Sequence, residues 1–219
     1  MLVLLFLVSA CDEGHESTPA PSTSSRTTTQ TRPSPAPGAD WTKFGFDAAR
    51  SGVGPRRTGI TAANVGTMER QRIELPGTVD SSPIYLHRVR VDGARRDVFV
   101  VTTAYGRTLA LDADTGEALW QFVPPGIERW EGTSQITNAS PVADRRRGVV
   151  FSISPDGRLH KLGLADGREA SAGTWPAVVT RDPTHEKIGP ALNLDGDDVL
   201  LSTGGYIGDT PPYQGECWR

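Results

Sequence analysis

The chain has 219 residues, 37% of them hydrophobic, with 24 Gly, 17 Pro and a formal charge of −3, which fits a turn-rich globular domain carrying a tail. Its 23 Lys and Arg are scattered or sit in short groups (Arg56-Arg57, Arg95-Arg96, Arg145 to Arg147) that read as basic hairpin tips, so no positive stripe tracks phosphates and nucleic acid is excluded as a partner. The one strongly apolar run, Leu2 to Val8, is far shorter than the roughly 20 residues a bilayer helix needs.

That run leads into Val8-Ser9-Ala10-Cys11. Small residues ahead of a Cys after an apolar stretch resemble the lipobox of bacterial lipoproteins. The resemblance implies a signal peptide over residues 1–11, a diacylglycerol on Cys11, and a protein exported to the cell envelope or periplasm and held at a membrane by lipid. From residue 12 to 40 the chain is mostly Ser, Thr, Pro, Ala and Gly. Such a segment cannot bury enough surface to offset its chain entropy and reads as a disordered tether. Once Cys11 is lipidated, Cys217 has no partner for a disulfide.

The folded part is expected over 41–219, and it is organised as a repeat. Asp80 leads into "SSPIYL" and, after a variable loop, "DVFVVTTAYGRTLALDADTGEALWQF" from Asp97. The same order returns in "NASPVADRRRGVVFSISPDGRLHKLGLADGREA" from Asn138 and begins again in "IGPALNLDGDDVLLSTGG" from Ile188. Gly106 recurs as Gly157 and Gly116 as Gly167, both 51 residues on, and Val149 recurs as Val199 after 50. Periods of about 40 to 50 residues with four short strands per unit are the mark of propeller blades. Within a unit, Ser-Pro starts an inner strand, and "VFVVTTA" reads as a strand buried on both faces. "YG" or "PDG" turns into the alternating "TLALDA", and "DTG" or "ADG" turns into an outer strand, "EALWQF". No window longer than about ten residues sustains a helical period.

Ala110, Asp112, Thr115, Gly116 and Trp120 stand at the spacing Ala-x-Asp-x-x-Thr-Gly-x-x-x-Trp. This resembles the tryptophan docking motif of pyrroloquinoline-quinone (PQQ) type propeller repeats. The resemblance implies an all-β fold, a β-propeller of four-stranded antiparallel blades, in which these five residues are architectural. Ala110 leaves room for a ring, Asp112 and Thr115 bond turn amides, Gly116 gives a backbone shape that a Cβ opposes, and Trp120 buries its ring between blades. "WTKFGFDAARSGV" from Trp41 resembles the family's lead-in. In the second unit Lys161 and Gly163 replace Ala110 and Asp112, and Trp175 comes four residues after the equivalent of Trp120. At about 50 residues per blade the chain holds about three blades. It is therefore expected to be an incomplete ring, an N-terminal part of an eight-bladed parent, with its last five residues of doubtful membership.

Chemistry is harder to find. Quinone-dependent dehydrogenases of this type imply PQQ, Ca²⁺ with Asp, Asn and Glu around it, and often a vicinal Cys pair, and no Cys-Cys occurs here. Asp195, Asp197 and Asp198 in "LDGDD" are oxygen ligands in kind, but their setting between apolar runs reads as a hairpin turn. His15, His87, His160 and His185 are scattered, and His185-Glu186 reads as a solvated pair in a loop. Asn138 in "NAS" matches a glycosylation sequon and reads as a strand start equivalent to Asp80. The loop Gly204 to Gly215, with Tyr206 and Tyr213, offers either a ligand surface or an interblade connection. No catalytic residue, metal site or cofactor-binding residue is assigned. Two functions are expected: a binding or assembly scaffold with envelope protein partners, or part of a periplasmic PQQ-dependent dehydrogenase of alcohols or sugars.

Overall fold

The computed structural model describes residues 40–54, 60–206, 211–213 and 215–219. The expected signal peptide 1–11, its Cys11 and the tether through residue 39 lie outside the described residues. Asp40, assigned to the tether, is tied down: its Oδ1 accepts from the backbone N–H of His87 at 2.7 Å and from the Arg145 guanidinium.

The sequence builds strands wherever apolar alternation is bounded by Gly turns. β1 (Ile84–Val91), β2 (Ala94–Thr102), β3 (Thr108–Asp112) and β4 (Ala118–Phe122) form one antiparallel sheet in chain order. β5 (Val142–Asp144), β6 (Val149–Ser154), β7 (Arg158–Gly163) and β8 (Ala177–Val178) form a second. In a third, β9 (Glu186–Ile188) and β10 (Asn193–Asp195) pair with successive stretches of β11 (Asp198–Gly205), and β12 (Cys217–Trp218) pairs with Leu201 and Ser202. Only two short 3₁₀ turns, Val65–Thr67 and Ile127–Arg129, break the β pattern among the described residues. The β1–β2 turn, Asp92-Gly93, has φ of 47° and 78°, the two positive values that match the twist of a tight hairpin.

The lead-in reveals how the sheets are arranged. Trp41 exchanges backbone hydrogen bonds with Tyr85 of β1 (2.7 and 3.0 Å), the Thr42 carbonyl accepts from Ala143 N–H of β5 (2.9 Å), and Lys43 Nζ donates to Asn193 Oδ1 of β10 (2.7 Å). Consecutive Cα atoms are only about 3.8 Å apart. Three residues in a row can touch three sheets only where the inner strands converge, which is the radial geometry of a propeller. The described residues accordingly form three blades of a β-propeller, the first two with four strands in chain order and the third built around β11.

The core lies between blades. Ile84, Leu86, Val98, Val100, Ala110 and Trp120 of the first blade pack with Ala143, Val150, Leu162 and Leu164 of the second. Val142, Phe151, Ile153 and Leu159 of the second pack with Ile188, Leu192 and Leu201 of the third. Along β3 the faces alternate: Ala110 points into the first of these layers, while Leu109 and Leu111 pack with Val101, Leu75 and Val79 on the other side. Two sequence expectations need correction. β2 is not buried on both faces throughout, because Phe99 is 39% exposed and rests at 5.4 Å on Tyr85. Glu186 is not in a solvated loop; it opens β9 opposite Gly205, and its carboxylate accepts from Thr180 Oγ1.

Candidate functional site: the seam between the first two blades

Ala110 and Trp120 are opposed across β3 and β4, so the indole lies beside a residue with no bulk. The ring is buried, and its Nε1 donates to the Leu164 carbonyl of the second blade at 3.0 Å. A β-carbon placed on Gly167 would stand 2.5 Å from Trp120 Cε3, and Gly167 has φ of +67°. Backbone conformation and close approach therefore both require glycine there. Gly116 stands in the same relation to Ile73: a β-carbon would lie 2.0 Å from Ile73 Cδ1, so an aliphatic chain from the segment ahead of β1 covers the first corner as the indole covers the second.

The turn beneath is held by Asp112. Its Oδ1 accepts from the N–H groups of Asp114 (3.0 Å) and Thr115 (3.1 Å), and its Oδ2 from Arg96 at 2.8 Å. Thr115 Oγ1 accepts from Glu117 N–H at 3.2 Å. The hydrogen bond from the Arg96 guanidinium, with those from the turn amides, holds the Asp112 carboxyl below the usual carboxylate range. In the second blade a β-carbon on Gly163 would lie 2.5 Å from Asp166 Oδ1. Asp166, the equivalent of Thr115, thus fills the space that Asp112 fills in the first blade.

Trp175 sits over Lys161, whose Nζ lies 5.5 Å from the ring, and 5.4 Å from Phe151. Lys161 is the equivalent of Ala110, so the displaced tryptophan covers the same strand position. The outer strand is interrupted to allow it: Glu169 bridges Leu162, and pairing resumes only at Ala177 opposite Leu159.

The structure also assembles a group that sequence reasoning leaves scattered. His160 is fully buried; its Nε2 lies 2.6 Å from Ser154 Oγ and its Nδ1 lies 2.5 Å from Glu169 Oε1. Ser, His and a carboxylate in that order have the connectivity of an activated nucleophile. Here the hydroxyl has no room to react: Ser154 is 2% exposed, and a β-carbon on Gly106 of the first blade would be 2.8 Å from its Cα. Ser154 Oγ also donates to Asp156. Phe122 of the first blade covers the imidazole at 4.9 Å. The group braces β6, β7 and the start of the outer strand. The signal that could have found it is positional, since His160 stands where the first unit has the buried Leu109.

The remaining candidates lie apart from the seam. Asp195 and Asp198 close the β10–β11 hairpin; Asp197 pairs with Arg147, and Asp198 with Arg219 at 2.7 Å. His185 pairs with Asp182 at 2.9 Å, and Cys217 is a free, exposed thiol. Tyr206 Oη donates to the Pro183 carbonyl at 3.0 Å, and burial pushes its pKa up to about 12. A cavity of about 500 Å³ between the second and third blades is walled by Trp175, Lys161, Arg147 and Asp198.

Radial blades joined by a buried indole define a propeller, and two solved structures share this fold. The chain is similar to quinohemoprotein alcohol dehydrogenase from Comamonas testosteroni, with 24% identity and a TM-score of 0.59 over 76% of this chain and 23% of that one. It is similar also to the quinohemoprotein alcohol dehydrogenase ADHIIG from Pseudomonas putida HK5, at 20% identity and a TM-score of 0.60 over 77% of this chain and 23% of the other. The chain thus spans about a quarter of the length of these structures. No family model and no curated protein sequence matches it.

Ca²⁺ takes hard oxygen ligands converging on one point. No three His, Cys, Asp or Glu side chains among the described residues are grouped to hold a metal ion, and Asp197 and Asp198 are engaged by arginines.

Proposed function

We propose that this chain is the propeller part of a cell-envelope lipoprotein that works as a binding or assembly scaffold, anchored through Cys11 and held off the membrane by the tether that follows it and ends before Asp40. The observation that carries the reading is how the buried charge is used. Asp112 and His160 are the buried ionisable side chains among the described residues. Both are spent on bonds inside their own blades, to Arg96 and to Glu169 and Ser154. Active sites instead aim such groups at a cavity. The five motif residues serve the same end, fixing one blade on the next so that the rim presents a rigid surface.

A second reading rests on the likeness to the two alcohol dehydrogenases: the chain is part of a quinoprotein oxidising alcohols or sugars. Fold alone is a weak guide to activity. Two measurements separate the readings. The scaffold reading expects radiolabelled palmitate in the expressed protein, lost in Cys11→Ala, and no quinone absorbance shift or dye reduction when PQQ, Ca²⁺ and ethanol are added. Dye reduction that requires PQQ would overturn it in favour of the enzyme.

A further inference from the structure

Arg90 and Arg95 lie directly opposite one another across β1 and β2. Like charges in that position destabilise a hairpin. No carboxylate among the described residues lies within ion-pair distance of either, nor of Arg88. Arg88 sits in the bulge between Leu86 and Val89 with φ of 49°, a conformation that turns its side chain out of the strand alternation. The second blade brings Arg145 to the same place, where its guanidinium donates to Asp40 and to the His87 carbonyl. These four arginines surround a cavity of about 270 Å³ with Leu164 and Ala165 on its wall.

We infer that this cavity is a binding site for an anionic phosphate group, carried either by a membrane lipid or by a free phosphate compound. Arg88, Arg90 and Arg95, exposed and without an ion-pair partner among the described residues, line one concave space with Leu164 and Ala165 on its wall, and Arg90 also donates to the Gly93 carbonyl at 3.3 Å. Guanidinium forks match phosphate oxygens in pairs. The cost of opposing Arg90 and Arg95 is then offset when an anion is bound and stands uncompensated without one. Basic groups that read in the sequence as separate hairpin tips are one site in the fold. The inference depends on neither functional reading.

The test uses the full chain carrying Cys11→Ala, so that no lipid anchor contributes. Calorimetry at low ionic strength follows inorganic phosphate and pyrophosphate; co-sedimentation follows phosphatidylglycerol vesicles, with phosphatidylcholine vesicles as the zwitterionic control. Saturable binding of the phosphates assigns a free phosphate ligand, and binding of the phosphatidylglycerol vesicles alone assigns a lipid headgroup. Either supports the site if the double variant Arg90→Gln, Arg95→Gln weakens it by about tenfold or more. Ligand-free Arg95→Gln is expected to melt at a higher temperature than the parent in low salt, because it relieves the repulsion with Arg90. The site is refuted by no binding of any probe, by equal binding to both vesicle types, by binding unchanged in the double variant, or by a lower melting temperature for Arg95→Gln.

Discussion

The indole of Trp120 covers the α-carbon of Gly167 so closely that a β-carbon there would stand 2.5 Å from ring atom Cε3, and the same indole donates to the Leu164 carbonyl three residues earlier. One side chain of the first blade therefore grips both sides of a turn in the second. The turn must be tight and bare for this to work, and Gly167 makes it so.

Gly167→Ala is expected to lower stability by about 2–4 kcal/mol, from left-handed backbone strain together with displacement of the ring. Gly93 also has positive φ, at 78°, but nothing stands within 4 Å of a β-carbon there. Gly93→Ala should cost only the backbone component, about 1–2 kcal/mol. Urea melts of the two variants check this, and equal losses would argue against close contact at the seam.

Acid should weaken the first blade through Asp112. Its folded-state pKa is depressed by Arg96 and the turn amides, so the stabilisation is complete above the ordinary carboxylate value and is lost as pH falls below it toward the lower folded value. Asp112→Asn should cost about 1–2 kcal/mol at neutral pH. Its stability should fall less steeply than the parent's on acidification below pH about 4. Thermal melts across that range give the comparison; parallel curves would contradict the assignment.

The buried His160 group gives an asymmetric prediction. His160→Leu installs the residue that the first blade carries as Leu109 and leaves Glu169 partly hydrated, its side chain being 21% exposed. The expected loss is under about 1.5 kcal/mol. Glu169→Ala leaves the fully buried imidazole without its carboxylate and should cost more, about 2–4 kcal/mol. Denaturant midpoints that rank the two variants the other way would show that the group is not a structural brace.

What is legible in the sequence is what short-range chemistry writes. Alternation places β3, Gly turns bound the hairpins, and Ala110 through Trp120 mark a corner, because these features act within a dozen residues. The relation of Trp120 to Gly167 spans 47 positions and is accessible only through the repeat. Where the repeat decays, legibility decays with it: Trp175 is displaced by an interruption in the outer strand, and Glu186 enters a strand that its polar surroundings mask. His160, Ser154 and Glu169 are brought together by pairing of β6 with β7 and by the Glu169 bridge to Leu162, so their mutual distances are not written in spacing. Arg90 and Arg145 are 55 residues apart and meet only because two blades stack.

The central claim, that the blades are locked through Trp120 on the corner of the next, is tested most directly by a double-mutant cycle of Trp120→Ala and Gly167→Ala. With the ring gone, a β-carbon at position 167 meets no obstacle, so the glycine replacement should cost only its backbone component. The two effects should then fall short of additivity by about 1–3 kcal/mol. Additivity within about 0.5 kcal/mol would mean that the indole and the glycine do not touch in solution, and the stacked-blade account would fail.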